Sequence, residues 1–440
     1  MPEIRPFRAL RYDRSTIGDP ALVVAPPYDV IEPAERERLL ARHPANVVRL
    51  DLPGDELGDE PDDRYRRAAR TLAGWRSDGT LHKDPHPSIY VYEQTYRVPG
   101  TDVTRVQRGF LARLRLEPFG PGSGVLPHER TLAGPREDRY RLLRATGVNT
   151  SPVVGLYDDP GGRGRMVLDA ITTRSADLDL VDDDGTRHRL WASPADGDDA
   201  AAIAPLLEAA GDGPITIADG HHRYETALRY RDERRMSRSC EEDPAFDYIL
   251  AFLLDASAEP LTVLPTHRVI GGLGDARVTE MVERLGGSFE VRSGLSADGL
   301  TGIFAAAGLA SGGSGRLGLW TRSGGALLTA RRDVLERSLP VGGDAVRALD
   351  VTLLDVVLED LAGVDTAAVA GGAVAYTKSA ADAIAWVDTG QDGADAAFLL
   401  EPTPVASVLA VAAQGDVMPQ KSTYFYPKAL SGLVINPHEW

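Results

Sequence analysis

Asp219-Gly220-His221-His222-Arg223 is the densest group of chemically useful side chains in the chain. It follows a short apolar run, Ile215–Ala218, and precedes a stretch with helical spacing from about Tyr224 to Arg235. A strand-to-helix turn presents backbone N–H groups and the positive end of the helix dipole. Gly220 lets an anion approach the backbone closely. Arg223 offers a planar fork for phosphate oxygens, and His221 and His222 add donors. Asp219 suits such a cradle if it caps the helix or holds a divalent cation; Mg²⁺ favours one or two carboxylates plus substrate phosphates. The plain alternative is an N-cap aspartate beside a surface histidine pair. A zinc site is disfavoured. Adjacent histidines on one helix point ~100° apart, and no Cys or His-Glu-x-x-His pattern accompanies them.

Three further segments carry candidate chemistry. Gln420-Lys421-Ser422-Thr423, with Lys428 behind it, supplies a point charge and hydroxyls for phosphate or Mg²⁺. It is not a P-loop, because Gln420 stands where that motif needs glycine. The alternative is a solvated loop. In Ala25-Pro26-Pro27-Tyr28-Asp29-Val30 two prolines stiffen the chain where an apolar run ends. Asp29 is thereby a candidate general base or metal ligand, or part of an ordinary turn. His128-Glu129-Arg130-Thr131 follows the glycine-rich loop 120–124 and places acid, base and cation in sequence. A surface ion-pair cluster is the bland reading. Thr266-His267-Arg268 reads better as structural than as part of a phosphate site. Gly271-Gly272-Leu273-Gly274 lacks the third glycine of a dinucleotide fingerprint. Asn149-Thr150-Ser151-Pro152 reads as a cap or turn that needs Asn. Cys240 has no evident histidine partner and is not read as a nucleophile.

The elements that must hold these groups read as α/β. Strands are expected at Ala21–Ala25, Pro152–Tyr157, Pro214–Ala218 and Phe246–Leu254, the last being the most apolar run. Hairpins are expected over Ser88–Val98 with Thr104–Leu116, and over Leu178–Leu190 around Asp183-Asp184-Gly185. Helices are expected at Pro33–Arg42, Pro61–Trp75, Pro135–Thr146 and Ala200–Ala210. Beyond Arg268 glycine-rich joints, among them Gly312-Gly313-Ser314-Gly315, separate short elements. Helices are expected there around Val278–Leu285 and Val346–Leu361, with strands around Arg316–Thr321 and Ala396–Leu400. The expected organisation is an N-terminal α/β region, 1–268, carrying the phosphate box, and a C-terminal α/β region, 269–440, ending in the Lys421–Lys428 motif.

Composition narrows the function. The 440 residues include 48 basic and 65 acidic side chains, for a formal charge of −17. This balance argues against a general nucleic-acid binder, although a local cationic site is compatible with it. A hydrophobic fraction of 43% suits a folded protein. No apolar run approaches the ~18 residues of a membrane span. A single cysteine and no apolar leader point to a reducing compartment, expected to be the cytoplasm. Only four basic residues are Lys: Lys83, Lys378, Lys421 and Lys428. Asn is confined to Asn46, Asn149 and Asn436. Such a bias exchanges Lys for Arg wherever charge alone matters, so Lys421 and Lys428, two survivors within one motif, mark places where Arg is expected not to serve, whereas Lys83→Arg is expected to be silent.

Taken together, Ala25–Val30, His128–Thr131, Asp219–Ala227 and Lys421–Lys428 resemble DUF1015, a bacterial and archaeal family of unknown function. The resemblance covers nearly the whole chain. The family's central motif is in turn similar to the glycine-plus-basic box of the ParB/sulfiredoxin-like superfamily. Free-serine kinases in that wider group carry the same Asp-Gly-His-His-Arg string. The resemblance implies a ParB/sulfiredoxin-like nucleotide-binding core elaborated with an additional α/β region. It implies that Gly220, His221, His222 and Arg223 hold phosphates of ATP or ADP, with CTP a third candidate. It gives Asp219 to Mg²⁺ or catalysis, and it implies an earlier acidic base, for which Asp29 and Glu129 are candidates.

The expected function is a nucleotide-dependent kinase acting on a small hydroxyl compound, with free serine as first candidate. In that picture Lys421, Ser422, Thr423 and Lys428 join Arg223 in neutralising phosphate, while His128 assists catalysis. The competing expectation is a ParB-like nucleotide switch that hydrolyses nucleotide without an acceptor. Membrane partners are not expected, and homo-oligomerisation stays open.

Overall fold

A computed structural model describes residues 1–129, 133–197, 199–237, 242–258, 261–306 and 314–440. Arg130, Thr131, Cys240, Gly312 and Gly313 therefore lie outside the described residues. The fold is mixed α/β and falls into two compact units. One comprises Met1–Pro127, Thr131–Pro260 and Pro427–Trp440; the other comprises His128–Arg130 and Leu261–Tyr426.

The first unit is built on a nine-stranded sheet. Its strands are β1 (Ile4–Arg5), β2 (Ser88–Arg97), β3 (Thr104–Arg115), β4 (Val125–Leu126), β5 (Val153–Tyr157), β6 (Leu178–Val181), β7 (Arg187–Pro194), β8 (Ile215–Asp219) and β9 (Tyr248–Asp255). The order is β4-β8-β5-β9-β3-β2-β7-β6, with β1 added to β3. Only β4 with β8 and β5 with β9 run parallel. The expected hairpins are present: β2 pairs with β3, and β6 with β7. The apolar run Tyr248–Leu254 is wholly buried as β9, between β3 and β5.

Helices α1 (Pro33–Arg42), α2 (Asp63–Ser77), α3 (Ala133–Thr146), α4 (Arg163–Thr172), α5 (Asp199–Gly211) and α6 (His221–Ser237) belong to the same unit. Leu168 of α4, Leu206 of α5 and Tyr224 and Ala227 of α6 pack with Phe110, Val153, Ile217 and Leu253 of the sheet in one core. A second core gathers Leu10, Trp75 of α2, Val148 and Ile435.

The second unit holds a six-stranded antiparallel sheet. Its strands are β10 (His267–Gly271), β11 (Phe289–Leu295), β12 (Arg316–Thr321), β13 (Gly324–Ala330), β14 (Val374–Thr377) and β15 (Ala394–Leu399), in the order β11-β13-β12-β15-β10-β14. Helices α7 (Gly274–Ser288), α8 (Ala297–Ala306), α9 (Ala380–Thr389) and α10 (Val405–Ala413) accompany it. Val269, Leu300, Phe304, Ile384 and Leu399 form its core.

Several expectations are corrected. Ala21–Ala25 is not a strand: Pro20–Leu22 is a 3₁₀ turn, and only Ala25 bridges, to Ser431. The prolines at 20, 26 and 27 remove ladder donors, and the Asn46 amide instead binds the carbonyls of Leu22 and Val24, at 2.8 and 3.2 Å. The helix expected from Tyr224 begins at His221, so the basic string forms its first turn. The helix expected over Val346–Leu361 is broken into Asp344–Arg347, Asp350–Val356 and a wide-turned segment Val357–Leu361. The division at Leu261 precedes the expected one at Val269. The last residues, expected in the C-terminal region, pack with the first unit: Asn436–Pro437 pairs with Val148–Asn149, and Ile435 joins the core of Leu10 and Trp75.

Candidate functional site

β8 is buried from Ile215 to Ala218 and emerges at Asp219. Its pairing with β5 shifts register between Ile217 and Asp219, which turns the carboxylate out of the ladder. Gly220 adopts φ +88°. That conformation suits glycine, and a β-carbon there would meet Arg223 Nε at 3.0 Å. The chain then enters α6 at once, and Tyr224 N–H closes the first turn on the Gly220 carbonyl at 2.9 Å.

Two cations converge on Asp219. Arg223 Nη2 donates to Oδ2 at 2.8 Å, and Lys428 Nζ donates to Oδ1 at 2.9 Å. The side chains of Asp219, Arg223 and Lys428 are 17%, 10% and 12% exposed, so the group is largely withdrawn from water. Burial opposes the Asp219 charge, but Lys428, Arg223 and His221 outweigh it and hold the carboxyl well below the usual range. Burial likewise opposes the Arg223 charge; Asp219, then Asp29, Tyr28 and Asp51, more than offset it, so the guanidinium holds its proton more tightly. Arg223 Nη1 also donates to the Pro152 carbonyl. His221 is buried and His222 half-buried at the start of α6.

A cavity of about 50 Å³ opens beside Arg223. That is room for a few water molecules. Tyr28, Asp51, Arg139, Asn149, Thr150 and Thr226 are among its walls. The Arg139 guanidinium stacks over the Tyr28 ring, 4.0 Å from its centre. Burial, then the nearby Asp29, pushes the Tyr28 hydroxyl up to about 12. The Asp51 carboxylate accepts from Thr150 Oγ1 at 2.6 Å and from Ser431 Oγ at 2.8 Å. The cavity thus sets Tyr28, two guanidinium groups and a satisfied carboxylate against a larger apolar wall of Leu50, Leu142, Leu143, Val148 and Ile249. Asp29 lies on the 3₁₀ turn Tyr28–Val30, and its field reaches Arg223.

The remaining candidates belong to the second unit. His128 is fully buried; its Nε2 lies 3.0 Å from Thr423 Oγ1, and its ring meets Phe425 edge-on. Glu129 bridges to Met418. Lys421 is exposed with φ +55°, Ser422 donates to the Pro419 carbonyl at 2.5 Å, and Arg268 Nη2 binds the Lys421 carbonyl at 3.2 Å. Here His128 and Thr423 fasten one segment to the other. Lys428, grouped by sequence with Lys421, belongs instead with Asp219.

Mg²⁺ fits Asp219 poorly. Both carboxylate oxygens are engaged by fixed cations, so a metal would have to displace an ammonium. Among the described residues no cluster of three or more His, Cys, Asp or Glu side chains is placed to hold a metal ion. No helix among them is long and apolar enough to cross a membrane.

Sequence reasoning missed Asp51 and Arg139 as cavity walls, and it did not pair Lys428 with Asp219. The scarcity of Asn was a usable signal: Asn149 lines the cavity, and its Oδ1 receives Leu250 N–H at 3.1 Å and Asn436 Nδ2 at 2.8 Å.

Comparison with known proteins gives slight structural likenesses, among them the following. A free serine kinase in complex with AMP matches at 15% identity over 69% of this chain and 83% of its own, with a TM-score of 0.36. A conserved hypothetical protein from Pyrococcus furiosus matches at 16% over 69% and 87%, with a TM-score of 0.34. SbnI with a C-terminal truncation, from Staphylococcus aureus, matches at 9% over 73% and 85%, with a TM-score of 0.36. At such scores and identities neither fold nor activity transfers. No curated protein matches the sequence. The profile of DUF1015, described as a protein of unknown function, matches residues 4–352, most of the chain, and the protein belongs to that family.

Proposed function

We propose that the protein is a nucleotide-dependent kinase that phosphorylates a small hydroxyl compound, with free serine as the first candidate acceptor. One observation carries this reading. The Asp219 carboxylate is held between Lys428 and Arg223 at a strand–glycine–helix exit, beside a small cavity that Arg223 and Arg139 line. The Asp-Gly-His-His-Arg string that resembles the box of free-serine kinases supports the same reading.

Phosphoryl transfer asks mainly for positioning and charge neutralisation. Arg223 and Lys428 supply two positive charges in a site with little water. Gly220 leaves room for a phosphate at the first turn of α6, where backbone amides, His221 and His222 add donors. Asp219 fixes the two cations and keeps them pointed. The acceptor oxygen attacks the terminal phosphorus, the bond to the bridging oxygen breaks, and Asp29 takes the hydroxyl proton. ATP, ADP and CTP are the candidate donors. Any Mg²⁺ would enter on the nucleotide phosphates rather than on Asp219. Lys421, Ser422, Thr423, His128 and Glu129 are not needed for this reading.

The test is to incubate purified protein with each nucleotide and a panel of hydroxy-amino acids, following phosphorus NMR and mass. Phosphoserine or a related product is expected, and Arg223→Ala should abolish it. No phosphorylated product with any donor refutes the kinase. Nucleotide hydrolysis without an acceptor would favour the switch reading instead.

A further inference from the structure

A second polar cluster lies at the other end of β5. Asp219 pairs with Val154 near the start of that strand, whereas Tyr157 closes it. Tyr157 stands opposite Asp255, the last residue of the parallel neighbour β9. The loop Asp158-Asp159-Pro160-Gly161-Gly162 then leads into α4. Tyr157, Asp159 and Asp255 are 2%, 4% and 6% exposed.

The oxygens of this cluster divide into satisfied and unsatisfied ones. Asp255 Oδ1 accepts from Asp159 N–H at 3.2 Å and from Ser257 N–H and Oγ at 2.9 and 2.7 Å. Asp159 Oδ2 accepts from Gly164 N–H at 2.7 Å. Asp255 Oδ2 and Tyr157 Oη are buried and, among the described residues, have no hydrogen-bonding partner. Asp159 Oδ1 lies 4.0 Å from Arg163 Nε, and Arg163 also binds Asp212. A β-carbon on Gly164 would meet Asp159 Oδ2 at 3.3 Å and Tyr157 Oη at 3.4 Å. Leu206 Cδ1 stands 2.8 Å from the same point, so the tyrosine hydroxyl and Asp159 share one side of Gly164, and both carboxylates act on that hydroxyl. Burial and the two carboxylates keep the Tyr157 hydroxyl protonated, so it offers a neutral oxygen. Two buried carboxylates without a close cation are costly to hold.

We propose that Asp159, Asp255 and Tyr157 form the protein side of a binding site for a hard divalent cation, with Ca²⁺ as the ion that suits it. The donors are all oxygen, which disfavours Zn²⁺. Ca²⁺ accepts six to eight oxygens in irregular array, including carbonyls and water from an exposed loop. Mg²⁺ demands a near-ideal octahedron that this half-set does not outline. The ion would tie the loop before α4 to the end of β9. This site is independent of the kinase reading.

The test uses the full chain after chelator treatment. Titration calorimetry with CaCl₂ should show one ion per chain, and Ca²⁺ but not Mg²⁺ should raise the melting temperature. Tb³⁺ at the same site should luminesce on tyrosine excitation and be displaced by Ca²⁺. Asp255→Asn, nearly isosteric, should abolish all three signals. Tyr157→Phe, which removes only one oxygen, should weaken Ca²⁺ on the order of tenfold and dim the Tb³⁺ signal. No heat and no melting shift at millimolar Ca²⁺, or unchanged binding in both variants, would overturn the proposal and leave a buried water or proton as occupant.

Discussion

Lys428 and Gly220 are the single residues on which the Asp219 cluster depends. Lys428 places a point charge 2.9 Å from Asp219 Oδ1. A guanidinium there would crowd Arg223 and lose that geometry. Lys428→Arg should therefore cut nucleotide turnover at least tenfold, whereas Lys83→Arg should leave it unchanged. Lys428→Ala leaves a buried carboxylate with one partner and should cost on the order of 3 kcal/mol in urea unfolding. Gly220→Ala combines a positive φ with contact on Arg223 and should cost about 1–2 kcal/mol, together with most phosphate affinity in calorimetry. The residue types were legible in advance: Asp219, Gly220, Arg223 and Lys428 all stood out. The partner of Lys428 was not, because Asp219 is 209 positions away. Periodicity and motif spacing report local order, and they carry no information on a pairing closed by tertiary packing.

Among elements, the final segment does more than its length suggests. Arg113 lies inside β3 at 1% exposure, and burial lowers its pKa to about 10. Its hydrogen bonds go to Asn436 Oδ1 at 2.7 Å and to the carbonyls of Pro437 and Glu439 at 2.6 and 2.9 Å. Truncation after Tyr426 strips a buried cation of those acceptors and should cost at least 3–5 kcal/mol. Circular dichroism and gel filtration should find such a chain unfolded or aggregated. Strands and hairpins were readable because Tyr90, Tyr92 and Tyr96 alternate and Pro99-Gly100 marks the turn. The short paired segment Asn436–Pro437 was not, since two residues carry no period. Val346–Leu361 was over-read as one helix: its apolar residues keep helical spacing, but the backbone changes pitch at Val357.

Across the whole molecule, each unit contains a histidine kept neutral by burial. His438 in the first and His267 in the second are both lowered to about 3; burial is the main cause, with Arg113 and Arg268 respectively adding repulsion. A depressed pKa contributes stability that is complete above the unfolded value of about 6.5 and is lost as pH falls toward the folded one. At pH 5 each should have lost about 2 kcal/mol. Denaturant melts at pH 7.5 and pH 5 should show that loss, and His438→Gln should flatten part of the slope.

The first unit is written in three pieces, with His128–Arg130 of the second unit between the first two and Leu261–Tyr426 between the last two. During synthesis Asp219 and Arg223 leave the ribosome long before Lys428 is made. At ~5–20 residues per second, the pair waits tens of seconds for its third member. Arg113 waits longer still, for Asn436. Until Lys428 emerges, Asp219 has one of its two cations, so the charge cluster closes late in synthesis.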